Sequence, residues 1–245
     1  MTQRTIALVE DDAVIRENYA DVLRSEGFEV QGFDSEVSAR EAFTGSLPDL
    51  ALLDIQLLDR RDGGYALCSW LRHRSQSLPI IFLTSLRGEA DKISGLRLGA
   101  DDYITKDNSI DYVVIRIHAL FRRLDALAQV PSDSVLRFDS LTLNDSVLVA
   151  FWQNRSLELS LTQYWMLKAL VSQAGEVLSH KRLMQAANVQ VEPNTVVAHI
   201  RAIRRKFIEI DPGFNAIRTA RGNGYCWSPA HTSPDDPGAL SDANS

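Results

Sequence analysis

The sequence predicts a doubly wound parallel α/β domain followed by a second, smaller domain of short strands and helices. Three observations carry this. Five apolar runs alternate with amphipathic stretches across residues 1–124, the pattern of repeated βαβ units and a sheet covered on both faces. After residue 135 the pattern changes to short alternating strands, then helices, then a hairpin. The chain has 245 residues, and single domains run to about 100–200.

The elements follow in order. Ile6–Val9 reads as the first strand. Val14, Tyr19, Val22 and Leu23 then keep helical spacing up to a stop at Glu26-Gly27. Glu29–Phe33 is a weaker strand, and Leu50–Leu53 is a third. Leu67, Trp70 and Leu71 mark one helical face before the fourth strand, Pro79–Leu83. Ile93, Leu96 and Leu98 precede Gly99, and Asp102–Ile104 is the fifth strand. Val113, Val114, Ile117, Leu120 and Phe121 form a last amphipathic face. Residues 125–134 lose this periodicity and carry Pro and Ser, and they read as a linker. The second domain, 135–228, opens with strands turning at Asn144-Asp145 and Gln153-Asn154. Helices follow at Thr162–Gln173, His180–Ala187 and Asn194–Ile210. A hairpin turns at Gly222-Asn223-Gly224, and the acidic tail 229–245 is expected to be disordered.

Composition narrows the class. Hydrophobic residues make up 45% and charged residues 24%, ordinary values for a globular chain. No stretch approaches the ~20 apolar residues that span a bilayer, so no membrane partner is expected. The N-terminus is too short in apolar residues for a secretory signal. Cys68 and Cys226 suit neither a disulfide framework nor a thiolate metal site. A cytoplasmic location is the expectation. The net charge of −6 is unevenly spread: −6 over residues 1–128, +3 over 129–228 and −3 over 229–245. An acidic half joined to a locally basic half suggests two domains with different partners.

In a doubly wound sheet, ligands bind beyond the carboxyl ends of the strands. Those ends carry Glu10, Asp11 and Asp12 after the first strand, Asp54 after the third, Thr84 and Ser85 after the fourth, and Thr105 and Lys106 after the fifth. Converging carboxylates repel unless a cation or proton neutralises them. Magnesium is the natural cation, because it takes oxygen ligands and tolerates a phosphate in its shell. A remaining carboxylate can accept a phosphoryl group, with lysine and threonine contacting its oxygens. A bland acidic helix start with scattered loop charges explains Asp11-Asp12 alone. It does not explain four strand ends occupied in this way.

These motifs resemble a response-regulator receiver domain, of flavodoxin-like fold. Val-Glu-Asp-Asp at 9–12 resembles its acidic pair, Leu-Leu-Asp-Ile-Gln-Leu at 52–57 its acceptor strand, Phe-Leu-Thr-Ser at 82–85 its switch hydroxyl, and Gly-Ala-Asp-Asp-Tyr-Ile-Thr-Lys at 99–106 its lysine strand. The resemblance implies Asp54 as phosphoacceptor, with Thr84, Lys106 and Tyr103 as phosphate-binding and switch residues. It implies magnesium held by Asp11 or Asp12, Asp54 and the carbonyl of Gln56. It also implies a salt-bridged dimer surface at Lys92, Asp101, Asp102, Arg116 and Arg123. Two places depart from the family pattern. Residues 54–64 carry Leu58 where a proline is usual and one extra residue before Asp62-Gly63, and Asp107 replaces the proline after Lys106. The Lys106–Asp107 bond is therefore either a costly non-proline cis bond or a differently shaped trans loop. Asp-Gly-Gly and Thr-Lys-Asp resemble a narrower subgroup, the regulator encoded with the proteobacterial dedicated sortase system.

In the second domain, Val196, Ile200, Ile203 and Phe207 form one buried stripe on the helix Asn194–Ile210, with Arg201, Arg204 and Arg205 beside it. A helix that buries one face and offers arginines on another suits the DNA major groove. The stretch 135–228 resembles the winged-helix domain of OmpR/PhoB-type regulators: 159–184 its first two helices, 195–207 its recognition helix, 217–227 its wing. The DNA-contact candidates are Thr195, His199, Arg201, Arg204, Arg205 and, on the wing, Arg221. Ala202 and Val197 depart from residues common in the family, and 188–194 lacks its usual tryptophan. That loop bears on contact with RNA polymerase.

The expected function is that of a DNA-binding response regulator. A sensor histidine kinase would phosphorylate it on Asp54, and it would then form a homodimer on tandem half-sites of promoter DNA. The alternatives are a phosphorylation-independent DNA-binding regulator and, from another class, a magnesium-dependent phosphatase. No separate general acid or substrate-capping insertion supports the phosphatase, so no enzyme activity is expected. Trp70, Trp165, Cys68 and Cys226 read as structural, and His118 and His180 as surface or capping residues.

Overall fold

The computed structural model describes residues 3–57, 60–128, 135–187, 193–220 and 222–228. The N-terminal elements are β1 (Thr5–Val9), α1 (Ala13–Ser25), β2 (Glu29–Phe33), α2 (Glu36–Ala42), β3 (Leu50–Leu53), α3 (Gly63–Arg74), β4 (Ile80–Thr84), α4 (Glu89–Arg97), β5 (Asp102–Thr105) and α5 (Ile110–Ala128). Their strands form one parallel sheet in the order β2-β1-β3-β4-β5. The order reverses between β1 and β3, which is the switch point where such sheets bind ligands. The expected doubly wound five-stranded fold is present. Helix α5 extends to Ala128, four residues into the stretch read as linker. The rest of that stretch lies outside the described residues.

Side-chain alternation along the strands builds two cores. Ile6, Leu8, Leu50, Leu52, Ile81, Leu83 and Ile104 face α1 and α5. Ala7, Val9, Ala51, Leu53, Phe82 and Tyr103 face α2, α3 and α4. Burial on both sides explains why β1, β3 and β4 read as continuous apolar runs. The edge strand β2, Glu-Val-Gln-Gly-Phe, is largely solvated and gave the weaker signal.

The second unit holds β6 (Val135–Phe138), β7 (Leu141–Asn144), β8 (Val149–Trp152), β9 (Arg155–Ser156), α6 (Leu161–Ser172), α7 (His180–Ala186), α8 (Pro193–Ile210), β10 (Ile217–Ala220) and β11 (Gly224–Trp227). Four antiparallel strands precede the helices, and β10-β11 form the terminal hairpin. Gln153 and Asn154 both take positive φ at the β8–β9 turn, which fits a two-residue type I′ hairpin. Gly224 lies at φ +131°, and a Cβ there would stand 2.0 Å from the Leu178 carbonyl oxygen. The wing strand therefore presses on the segment before α7, and only glycine permits that approach. Val196, Ile200, Ile203 and Phe207 are fully buried, as the predicted stripe requires. The tail and most of 188–194 lie outside the described residues.

Candidate functional site

The strand ends converge as the switch-point argument demands. Glu10 leaves β1 and is 2% exposed, and Asp54 leaves β3 and is 6% exposed. Lys106 leaves β5, and its Nζ lies 2.5 Å from both Glu10 Oε2 and Asp54 Oδ2. Burial would lower the Lys106 pKa, but its hydrogen bonds to Asp54 and Glu10 outweigh that and hold it above the ordinary lysine value. Burial is the largest influence on Glu10 and raises its carboxyl above the usual range, with the Asp54 charge adding to the rise. One lysine shared by two buried carboxylates does not offset both. Carboxylate oxygens of Glu10, Asp11 and Asp54 lie within 4.8 Å of one another. This all-oxygen set suits a hard divalent cation.

Asp12 does not join the cluster, contrary to the expectation that it could hold magnesium. Its Oδ1 accepts the N–H groups of Val14 and Ile15, at 2.8 and 3.0 Å, and so caps α1. Glu10 and Asp11 are the acidic pair that faces Asp54. Gln56 donates its N–H to Asp54 Oδ1 at 3.3 Å, which places its backbone beside the acceptor. The departing loop is pinned at its described ends. Leu57 and Arg60 exchange backbone hydrogen bonds, and Arg60 reaches buried Glu36 at 2.9 Å. Leu58 and Asp59 lie outside the described residues. Gly64 packs directly under the acceptor: a Cβ there would stand 2.0 Å from the Asp54 carbonyl oxygen. The Lys106–Asp107 peptide is trans. Asp107 lies 3.6 Å from Arg87 across the rim.

Thr84 and Tyr103 meet at one backbone position. Thr84 Oγ1 accepts the Leu86 N–H at 3.3 Å, and the Tyr103 hydroxyl donates to the Leu86 carbonyl at 2.9 Å. Tyr65, which sequence reasoning missed, donates its hydroxyl to the Asp91 carbonyl in the first turn of α4 at 3.0 Å. Its ring meets Phe82 edge-on, and burial pushes its phenol up to about 12.

The five residues expected on a dimer surface separate. Asp102 and Arg116 form a buried pair within the unit, Nε to Oδ2 at 2.6 Å. Lys92 lies half-buried on α4 near Asp102 and Tyr112. The side chain of Arg123 lies outside the described residues. Asp101 is fully buried and faces the second unit, not an open surface.

The DNA-contact candidates separate too. Arg201 and Arg205 are exposed on α8. Arg204 instead anchors the wing: its guanidinium donates to the Ile217 carbonyl at 2.7 Å and to Thr219 Oγ1 at 2.9 Å, over the Tyr225 ring. Burial lowers its pKa. Thr195 and His199 are fully buried, on the same side of α8 as buried Ala198 and Ala202. Helix α4 packs against α8, and Ala198 joins the apolar cluster of the N-terminal sheet. In this arrangement the first unit packs over the Ala198–Ala202 side of α8. Arg221 lies outside the described residues.

The geometry agrees with comparison to known proteins. Residues 6–118 match the response regulator receiver domain, and residues 154–227 match the transcriptional regulatory protein C-terminal domain. The transcriptional regulatory protein CreB of Escherichia coli is 33% identical over 228 residues, covering 92% of this chain and 98% of that one. The chain belongs to the OmpR/PhoB family of response regulators. The phosphate regulon regulator PhoB of Shigella flexneri is likewise 33% identical, over 92% of this chain and 98% of its own. A solved structure of a RitR mutant superposes with a TM-score of 0.72 at 22% identity, over 91% of this chain and 98% of that one, a likeness of fold. This response regulator thus joins a receiver domain to a DNA-binding output domain. The second matched domain and the relatives named are those of transcriptional regulators. No helix among the described residues is long and apolar enough to cross a membrane.

Proposed function

We propose that the regulator is switched by phosphorylation of Asp54 and then binds promoter DNA as a homodimer on tandem half-sites. The observation that carries this is Lys106 Nζ, held 2.5 Å from Asp54 Oδ2 and Glu10 Oε2 at the carboxyl edge of the sheet. The donor would be the phosphohistidine of a sensor histidine kinase. Its P–N bond breaks as a P–O bond to Asp54 forms, and the imidazole leaves with a proton. Asp11, Asp54 and the Gln56 carbonyl would hold magnesium, with Glu10 beside them. When bound, magnesium screens the charge of the incoming phosphoryl group. Lys106 would exchange its carboxylate contact for a phosphoryl oxygen. Thr84 would turn its hydroxyl from Leu86 toward the same group, and Tyr103 would follow.

Dimerisation would use the α4-β5-α5 side, with Lys92 and Arg123 on that surface and the buried Asp102–Arg116 pair holding β5 to α5 behind it. Arg201 and Arg205 would contact DNA from α8 and Arg221 from the wing, two copies reading half-sites about one helical turn apart. Thr195 and His199 would join them once the receiver no longer covers α8. Contact with RNA polymerase and the narrower sortase-associated grouping rest on sequence resemblance, the latter on Asp62–Gly64 and Thr105–Asp107.

Intact-protein mass after incubation with acetyl phosphate and magnesium tests the switch, wild type beside Asp54→Asn. The expected result is one added phosphoryl group on wild type only, with tighter DNA binding by that form. A folded wild type that gains no phosphoryl group from either acetyl phosphate or a phosphorylated kinase overturns it.

A further inference from the structure

Asp101 stands apart from the rest of the acidic residues. It is fully buried, and the hydrogen bonds of its carboxylate and carbonyl divide between two domains. Oδ2 accepts from Arg72 at 2.8 Å and from the Ile80 N–H at 3.0 Å, both within the receiver. Oδ1 accepts the N–H of Thr162 at 2.9 Å, and the Thr162 hydroxyl donates to the Asp101 carbonyl at 3.2 Å. Thr162 is the second residue of α6, itself fully buried. Its N–H is one of those a helix start leaves without an intrahelical partner. A carboxylate there also meets the positive end of the helix dipole. The receiver therefore caps a helix of the output domain.

Beside this contact, Arg205 donates to the Arg97 carbonyl at the end of α4 at 3.2 Å, and the small residues Ala198 and Ala202 let α8 approach α4 closely. We propose that the Asp101–Thr162 contact is an interdomain latch that keeps the Ala198–Ala202 face of α8 covered, so that the DNA-binding surface opens only when the latch parts. This rests on the reading of α8 as the DNA-contacting helix. The sign follows from the state each bond belongs to. Both Thr162 bonds exist only in the covered state, so their loss favours the open one.

The test uses the full-length, unphosphorylated chain with two variants. Thr162→Val keeps the shape and the N–H but deletes the hydroxyl. Thr162→Pro also removes the N–H, at a first-turn position where no intrahelical bond is lost. Small-angle scattering reads domain separation without DNA. Fluorescence anisotropy on a labelled mixed-sequence duplex, across a salt series, reads access to α8. The expected result is a larger radius of gyration for both variants. Duplex binding should be a few-fold tighter for Thr162→Val and about tenfold tighter for Thr162→Pro, the size of one or two net hydrogen bonds. Unchanged scattering and unchanged affinity in a folded Thr162→Val overturn the latch. Opening without any gain in duplex binding supports the latch and removes α8 as the DNA-contacting helix. Should Thr162→Pro not fold, Thr162→Val alone decides.

Discussion

Gly64 offers the sharpest perturbation of the acceptor. Replacing it with alanine would put a Cβ 2.0 Å from the Asp54 carbonyl oxygen, 2.7 Å from Ile55 Cα and 2.8 Å from Asp54 C. All three are backbone atoms, so no rotamer change relieves the clash. Real Cβ contacts do not fall below about 3.0 Å, so the loop and the end of β3 must separate by about 1 Å. The Gly64 N–H bond to the Ile55 carbonyl, 2.9 Å long, would be stretched in the process. Overpacking costs about 1–3 kcal/mol and a lost buried hydrogen bond about 1 more, which lowers the receiver's melting temperature by roughly 10 °C. A displacement of about 1 Å in a reacting group costs about 100-fold in rate. The assay is the time course of phosphoryl incorporation from acetyl phosphate, by intact mass, beside a thermal melt. Gly63→Ala is the milder control, because the nearest neighbours of its Cβ are the side chains of Leu57 at 3.2 Å and Arg60 at 3.6 Å, not backbone atoms. Gly64→Ala that melts and reacts like wild type would refute the placement of this loop against the acceptor.

Asp12→Ala should cost about 0.5–2 kcal/mol through the lost α1 cap while leaving magnesium-dependent phosphorylation intact, whereas Asp11→Asn should weaken the magnesium dependence and spare stability. Metal titrations of phosphoryl incorporation on both variants check this, and the reverse pattern would return Asp12 to the metal. Arg201→Ala should lower the slope of log affinity against log salt by about 1 without moving the melting temperature. Arg204→Ala should instead destabilise the output domain by about 1–3 kcal/mol, because the Ile217 carbonyl and Thr219 lose their donor. Urea melts beside duplex titrations separate the two. Iodoacetamide near pH 8 should modify Cys226 and spare Cys68, whose thiol is fully buried and pushed up to about 12 by burial, so that below that pH it stays protonated in the folded chain. Peptide mapping that finds Cys68 labelled without unfolding would contradict its burial.

Much of the fold was legible because its signals are local. Strands buried on both faces appear as apolar runs, and Val196, Ile200, Ile203 and Phe207 keep helical spacing. Asp54, Thr84 and Lys106 could be placed at one edge of the sheet because the strand ends of a parallel sheet converge. What was misread depended on direction rather than position. Asp11 and Asp12 are neighbours in sequence, but the second turns away to cap a helix, and a carboxylate just before a helical pattern is a cap signal in its own right. Arg201, Arg204 and Arg205 share a helix, yet about 100° per residue separates them around its axis, and Arg204 falls toward the wing strand. The burial of Thr195 and His199 and the bond between Asp101 and Thr162 leave no local trace. They join elements far apart in the chain, and no periodicity in either element records the other.

Asp101 and Asp102 show what such long-range packing does to a simple pair of acids. Asp101 immediately precedes β5 and Asp102 opens it, and along an extended chain successive side chains point to opposite faces. Tyr103, two residues after Asp101, belongs to the α2–α4 side of the sheet, and Ile104, two after Asp102, belongs to the α1/α5 side. Asp101 accordingly meets Arg72 of α3 and Thr162 of the output domain, while Asp102 meets Arg116 of α5. The period of a strand thus forbids both acids from serving one surface. It gives the receiver one carboxylate toward the output domain and another toward α5, so release of Thr162 need not disturb the Asp102–Arg116 pair. The proposed latch and the proposed dimer surface need that separation, and two adjacent residues at the edge of a strand are the shortest sequence that provides it.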